Sequence, residues 1–145
     1  MNKIKILYVG LLIGICVLTV STFLRIKNIE DYHRKTILAQ EIHKVLEQLM
    51  FDLYDAREST IQDVPADGQW HSHIAFAHAG GENGEYQLRR GHLWRLHNGQ
   101  ALLIADHIGA LRLCRQKETP DVLEVQIEAR NNVSLLSHLK IKIRH

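Results

Sequence analysis

Ten histidines are the first chemical resource of this 145-residue chain. His71 and His73 stand two apart at the head of His71–Ala77, a segment that reads as a short strand with Ile74 and Phe76 inward. Residues two apart on a strand share a face, so the pair invites a metal ion. Nothing completes the set, because the chain has no Cys-x-x-Cys and no His-Glu-x-x-His, and His78 bears no fixed relation to the pair. Solvated surface histidines are the favoured reading, and no metal or other cofactor is implied. Together the histidines would add positive charge below about pH 6.5.

Asp52 and Asp55 lie three apart on one helical face, with Arg57 and Glu58 close by. Paired carboxylates can run acid–base chemistry only in a pocket that separates their proton affinities. An exposed helix flank offers none, so ion pairing and solvation are expected here. Ser59, Ser72, Ser134 and Ser137 lack the glycine-flanked elbow of a serine nucleophile. Gly80-Gly81-Glu82-Asn83-Gly84 lacks the lysine and hydroxyl of a phosphate loop. Cys114 reads as a buried or half-buried thiol. These residues make no enzyme, and no small-molecule substrate is evident.

Arg89, Arg90, Trp94 and Arg95 form a basic cluster with an aromatic at a hairpin. Such a set can stack on single-stranded nucleic acid. A net charge of +2 does not favour nucleic acid as the partner. Tryptophan and arginine are also the usual anchors of protein interfaces. The cluster is therefore read as a protein contact, with Trp94 in the chain's own core as the equal alternative.

These groups must be positioned by a chain of very uneven hydropathy. Mean hydropathy is only −0.15, yet residues 6–24 read ILYVGLLIGICVLTVSTFL without a charge. Roughly twenty such residues in a helix cross a ~30 Å hydrocarbon core. No small-x-small cleavage site follows, so the run is read as an uncleaved anchor behind a short flank, residues 1–5. Cys16 in the anchor cannot meet Cys114, which excludes an intramolecular disulfide. Arg25, Lys27, Arg34 and Lys35 outnumber Lys3 and Lys5, while the short flank favours export of the larger part.

Residues 25–62 continue as an amphipathic helix. Ile42, Val45, Leu46, Leu49, Met50, Leu53 and Tyr54 trace one face in steps of three and one. With the anchor this makes a rod of about fifty residues, or ~75 Å if unbroken. Val64-Pro65-Ala66-Asp67-Gly68 breaks it. Residues 63–145 then read as an antiparallel β domain. Short strands flank turns at Arg89-Arg90-Gly91 and Asn98-Gly99, and period two is strict over Leu123–Ala129 and Leu139–Arg144. Asn131-Asn132 falls early in the connection between those two. Charge is segregated: residues 28–67 carry nine acids and four bases, and residues 89–145 carry ten bases and five acids. The expected fold is α+β, a long N-terminal helix, half in membrane, packed on one small antiparallel sheet.

A short charged start, one apolar helix running into an amphipathic one, then a small antiparallel sheet resembles type IV pilin-like proteins. From Leu49 onward the chain is most similar to the J-type minor pseudopilins of type II secretion. The similar residues are Leu53 and Ala56, Ile74-Ala75-Phe76, Tyr86-Gln87-Leu88, Gly91-His92-Leu93-Trp94-Arg95, Leu103-Ile104-Ala105, Leu111-Arg112-Leu113, Leu123-Glu124-Val125 and Leu139 to Arg144. Pilin precursors carry a glycine and then Phe-Thr-Leu-x-Glu at the head of the apolar run. This chain has Lys5-Ile6-Leu7-Tyr8-Val9-Gly10 there, without the prepilin cleavage motif.

The resemblance implies a non-catalytic, single-pass subunit of the bacterial inner membrane, with its soluble domain periplasmic or extracellular. Its partners would be other pilin-like subunits in a secretion or pilus-type assembly. Leu46, Leu49 and Leu53 on the helix, with Arg89, Arg90, Trp94 and Arg95, are the expected contact residues. The alternative expectation is a tethered extracytoplasmic binding module that forms no filament.

Overall fold

The computed structural model describes residues 3–56, 60–61, 63–78 and 80–143, with side chains from Leu11 onward apart from that of Asp55. Helix α1 spans Lys3–Asp55 without a break. The chain divides into two compact units, Met1–Arg34 and Lys35–His145. In the first, Leu11, Ile13, Val17, Leu18 and Phe23 are each more than half exposed. Helix α1 contains a window of mean hydropathy 1.6 with none of it buried, long and apolar enough to cross a membrane. Apolar surface on every side of a helix is stable in lipid rather than in water.

The second unit holds seven strands: β1 (Ile74–Ala77), β2 (Asn83–Arg89), β3 (His92–His97), β4 (Gln100–Ala105), β5 (Ile108–Arg115), β6 (Val122–Asn131) and β7 (Val133–Lys142). They form two antiparallel sheets, ordered β1-β2-β3-β4 and β5-β6-β7, in place of the single sheet expected. The cause lies after Ala105. His107 takes φ 61°, and the Ile108 N–H donates to Gly91 O at 2.9 Å instead of pairing with β4. Strand β5 therefore leaves the first sheet and starts the second. Both classes, helix and antiparallel sheet, are as expected for α+β.

One core serves the helix and both sheets. Leu38, Ile42, Val45, Leu49 and Leu53 of α1 are buried, a stripe in steps of four, three, four and four. Ile74, Tyr86 and Leu93 come from the first sheet, and Leu111, Leu113, Leu123, Val125 and Ile127 from the second. Strand β6 alternates buried and half-buried positions from Leu123 to Ala129, as its period-two pattern requires. Cys114 is fully buried and unpaired, and Cys16 is exposed on the apolar helix.

Several boundaries differ from the sequence expectation. Helix α1 stops at Asp55 rather than 62, because Ala56 already makes a β-bridge to His78; Arg57, Glu58, Ser59 and residue 62 lie outside the described residues. Strand β1 begins at Ile74, so His71 and His73 precede it, and His71 instead bridges Leu113. The segment Gly80–Gly84, whose glycines predict a loop, gives Asn83 and Gly84 to β2 instead. Strand β7 begins at Val133, since Asn132 alone, at φ 57°, reverses the chain between Asn131 and Val133. Ser137 on the inward face interrupts the apolar alternation there, which hid the strand's first half.

The two hairpin turns match their sequence signals. Arg90-Gly91 and Asn98-Gly99 carry positive φ at both central residues, the geometry of two-residue turns that suits strand twist. Gly84 is constrained differently: a Cβ there would lie 2.6 Å from the Phe76 ring. Phe76 is 3% exposed and cannot swing clear. Gly84→Ala should therefore lower stability by about 1–3 kcal/mol through overpacking. Leu49→Ala should lower it by about 2–5 kcal/mol, whereas Met50→Ala next to it should change it by less than about 0.5 kcal/mol. Denaturant unfolding of the full chain in micelles measures all three.

Candidate functional site

The clearest built site joins the end of α1 to the first sheet. Asp52 follows Leu49 by three residues and so falls on the helix's buried stripe, where it is 0% exposed. Tyr86 on β2 and Arg95 on β3 are paired across the sheet, so both side chains stand on one face. That face meets the helix. Arg95 grips the carboxylate with two bonds, Nε to Oδ2 and Nη2 to Oδ1, each 2.7 Å. The Tyr86 hydroxyl donates to Oδ2 at 2.6 Å, and Gln48 Nε2 to Oδ1 at 3.3 Å. A buried carboxylate must be met this way, since an isolated charge out of water is strongly unfavourable.

Burial, then the hydrogen bond to Asp52, pushes the Tyr86 phenol far above its ordinary value of 10. The hydrogen bond to Asp52 likewise raises Arg95. Both groups thus keep the protons that they donate, and the carboxylate's lone pairs are committed to a clamp between helix and sheet. A cleft of about 830 Å³ opens beside it, lined by Met50, Phe51, Tyr54, His78, Glu82 and His97 as well as Asp52 and Arg95. His97 Nε2 meets Glu82 at 3.0 Å, and His78 Nε2 stands 4.0 Å from Asp52 Oδ1. His78 Nε2 and His97 Nδ1 are buried without a hydrogen-bond partner.

The opposite face of the first sheet carries a second polar chain. His73 Nε2 and Glu85 Oε1 are 2.7 Å apart, and His73 Nδ1 lies 2.9 Å from Asp63. Gln87 donates to Glu85, and Arg89 to Gln87. The His73 and Gln87 bonds hold the Glu85 carboxyl below its ordinary range. On the second sheet, Lys140 and then His138 do the same for Glu124. His71 pairs with Asp67 at 3.2 Å and His92 with Asp106 at 2.6 Å. The histidines expected to be solvated are thus largely engaged with carboxylates. Among the described residues no three His, Cys, Asp or Glu side chains could hold a metal ion.

The sequence-derived contact residues are redistributed. Leu49 and Leu53 are 0% exposed and Leu46 half-buried, so the chain's own sheets cover this stripe, which was expected to pack partly on its own sheet and partly against neighbours. Near the end of the helix, Met50, Phe51 and Tyr54 are exposed instead, at 52%, 75% and 64%. Arg95 points inward to Asp52 and is not an outward contact. The basic cluster splits because adjacent strand residues face opposite ways. Arg89 and Arg90 remain exposed, and Trp94 is half-buried. The Asp52 clamp went unrecognised because Asp52 was read with Asp55 as an exposed pair. Its signal was present: a carboxylate in phase with Val45 and Leu49.

Comparison of this chain with known protein families and with curated proteins finds no match.

The Tyr86 phenol and the lowered carboxyls of Glu85 and Glu124 shape the pH profile of stability. Unfolded tyrosine releases its proton near 10, while folded Tyr86 keeps it. Stability is therefore full below pH 10 and falls above it by about 1.4 kcal/mol per pH unit. Tyr86→Phe should remove this alkaline slope and, by leaving Asp52 one donor short, lose about 1–3 kcal/mol at pH 7. Glu85 and Glu124 act on the acid side, where stability present above pH 4.5 is lost as their folded carboxylates protonate. Unfolding midpoints between pH 3 and 11 measure both limbs.

Proposed function

We propose that this chain is a non-catalytic, pilin-like subunit, similar to a minor pseudopilin, anchored in a bacterial inner membrane by residues 6–24. Its soluble unit lies on the periplasmic or extracellular side and contacts other pilin-like subunits of a secretion or pilus-type assembly. The observation that carries this reading is an exposed apolar patch in the last turn and a half of α1. Leu38, Ile42, Val45, Leu49 and Leu53 are used by the chain's own core, yet Met50, Phe51 and Tyr54 remain exposed on the same helix. Exposed large apolar side chains clustered on one turn of a helix are suited to packing against another chain. The order of elements, one apolar helix leading into antiparallel sheets, supports the same reading.

Replacement of Phe51 and Tyr54 by aspartate tests it. Both are exposed, so the double variant should keep its unfolding midpoint within a few degrees. It should lose at least tenfold of its cross-linked recovery with other single-span subunits from native membranes, read by mass spectrometry. Equal recovery with the double variant would refute the contact surface.

One sequence feature favours a second reading. Lys5 and Gly10 stand where pilin precursors carry the glycine before the cut and the glutamate that registers subunits. A chain without both suits a tethered binding module that recruits a protein without forming filaments. Recovery with an unrelated receptor or enzyme, in place of single-span subunits, is its signature in the same experiment.

A further inference from the structure

Strand β4 is an edge of the four-stranded sheet, and it is unguarded. Its sequence, Gln-Ala-Leu-Leu-Ile-Ala, has no charge and no proline over Gln100–Ala105. Soluble proteins usually blunt such an edge with lysine, proline or a cover, because its free main-chain groups recruit another strand. The contrast within this molecule is sharp. The β7 edge carries His138, Lys140 and Lys142, β1 has only four residues, and β5 is bridged by His71. On β4, Leu102 and Leu103 are 57% and 41% exposed.

Register identifies which groups are free. His97 and Gln100 close the turn, and Arg95 pairs with Leu102, so these positions exchange main-chain bonds across β3 and β4. Ala101 and Leu103 therefore turn their N–H and C=O groups outward, and no segment pairs with them among the described residues. Beside the strand lies a groove of about 440 Å³ between it and α1, lined by Lys44, Glu47, Gln48, Phe51, Leu103 and Ile104. Its two charges balance.

We propose that β4 is a self-pairing edge, on which the β4 strand of a second copy docks antiparallel to give a continuous eight-stranded sheet. The occupant is a second copy because both the strand and its groove are electrically neutral. Identical charges meeting across a two-fold axis repel, as two β7 edges would, whereas two β4 edges bring none together. Free bonding groups at 101 and 103 place Leu102 on the axis. Ala101 of each copy then exchanges main-chain bonds with Leu103 of the other. Leu102 faces its own counterpart as a non-hydrogen-bonded pair, with Cα atoms about 4.5 Å apart. The inference uses no part of the pilin-like reading and stands or falls without it.

The full chain in mild-detergent micelles tests it, in a Cys16→Ser background, with Cys114 buried and out of reach. The protein mass should be twice 16.7 kDa. A Cα separation near 4.5 Å falls within the ~4.4–6.8 Å that a disulfide spans. Leu102→Cys treated with diamide should therefore give a disulfide-linked dimer. Leu136→Cys, 66% exposed on β7, should form no disulfide-linked dimer under the same treatment. Leu102→Lys should halve the mass while the near- and far-ultraviolet circular dichroism of the folded monomer is kept, and it should abolish the concentration dependence of the unfolding midpoint. A monomeric native chain would overturn the proposal, and so would equal cross-linking at positions 102 and 136. A doubled mass that survives Leu102→Lys would assign the association to the anchor helix and overturn it equally.

Discussion

A carboxylate that cannot reach water governs how the soluble unit is built. Asp52 sits on the buried stripe of α1 and needs partners there, and the guanidinium and phenol that bond to it are 43 and 34 residues away. The apolar stripe chooses which face of the helix is buried, but its contacts are non-directional. A two-pronged Arg95 contact is directional, because both nitrogens and both oxygens must stay in plane and in reach. Within that face, the rotation of the helix about its axis follows from this bond. Met50, Phe51 and Tyr54 are left outside, on the face away from Asp52 and the buried stripe.

The same constraint explains why the first sheet carries unlike faces. Tyr86 and Arg95 stand on the helix side, while Glu85, Gln87 and Trp94 alternate to the other. A polar chain from His73 through Glu85 to Arg89 can therefore form without disturbing the core. The second sheet contributes mainly apolar strand faces to that core. Its separation from the first, at Asp106-His107, lets one helix be covered from two directions by short strands. Strand β4 ends the first sheet without such cover, and no segment pairs with its outer side among the described residues.

Much of this was legible in the residues. An uncharged run that leads into a stripe at Ile42, Val45 and Leu49 reads directly as one continuous helix, and Arg90-Gly91 and Asn98-Gly99 announce their turns. Strand β6 is visible because its inward positions are all apolar. What escaped was set by tertiary contacts. Period-based reasoning gave Asp52 to solvent on residue type, although its phase placed it in the core. It treated Arg89, Arg90, Trp94 and Arg95 as one patch, although strand alternation sends Arg95 the other way. The division into two sheets depends on a single main-chain bond, Ile108 to Gly91, which leaves no mark on hydropathy. The helix end at Asp55 is likewise decided by the Ala56–His78 bridge.

A double-mutant cycle on Asp52 and Arg95 tests the central constraint most directly. Asp52→Asn and Arg95→Met, singly and together, would be compared by denaturant unfolding of the full chain. Each single change strands a partner in the core and should cost about 3–5 kcal/mol. The double change strands neither, so it should fall short of the sum by about 2 kcal/mol or more. Additive losses, within about 0.5 kcal/mol, would mean that the two side chains do not hold the helix to the sheet, and the account built on them would fail.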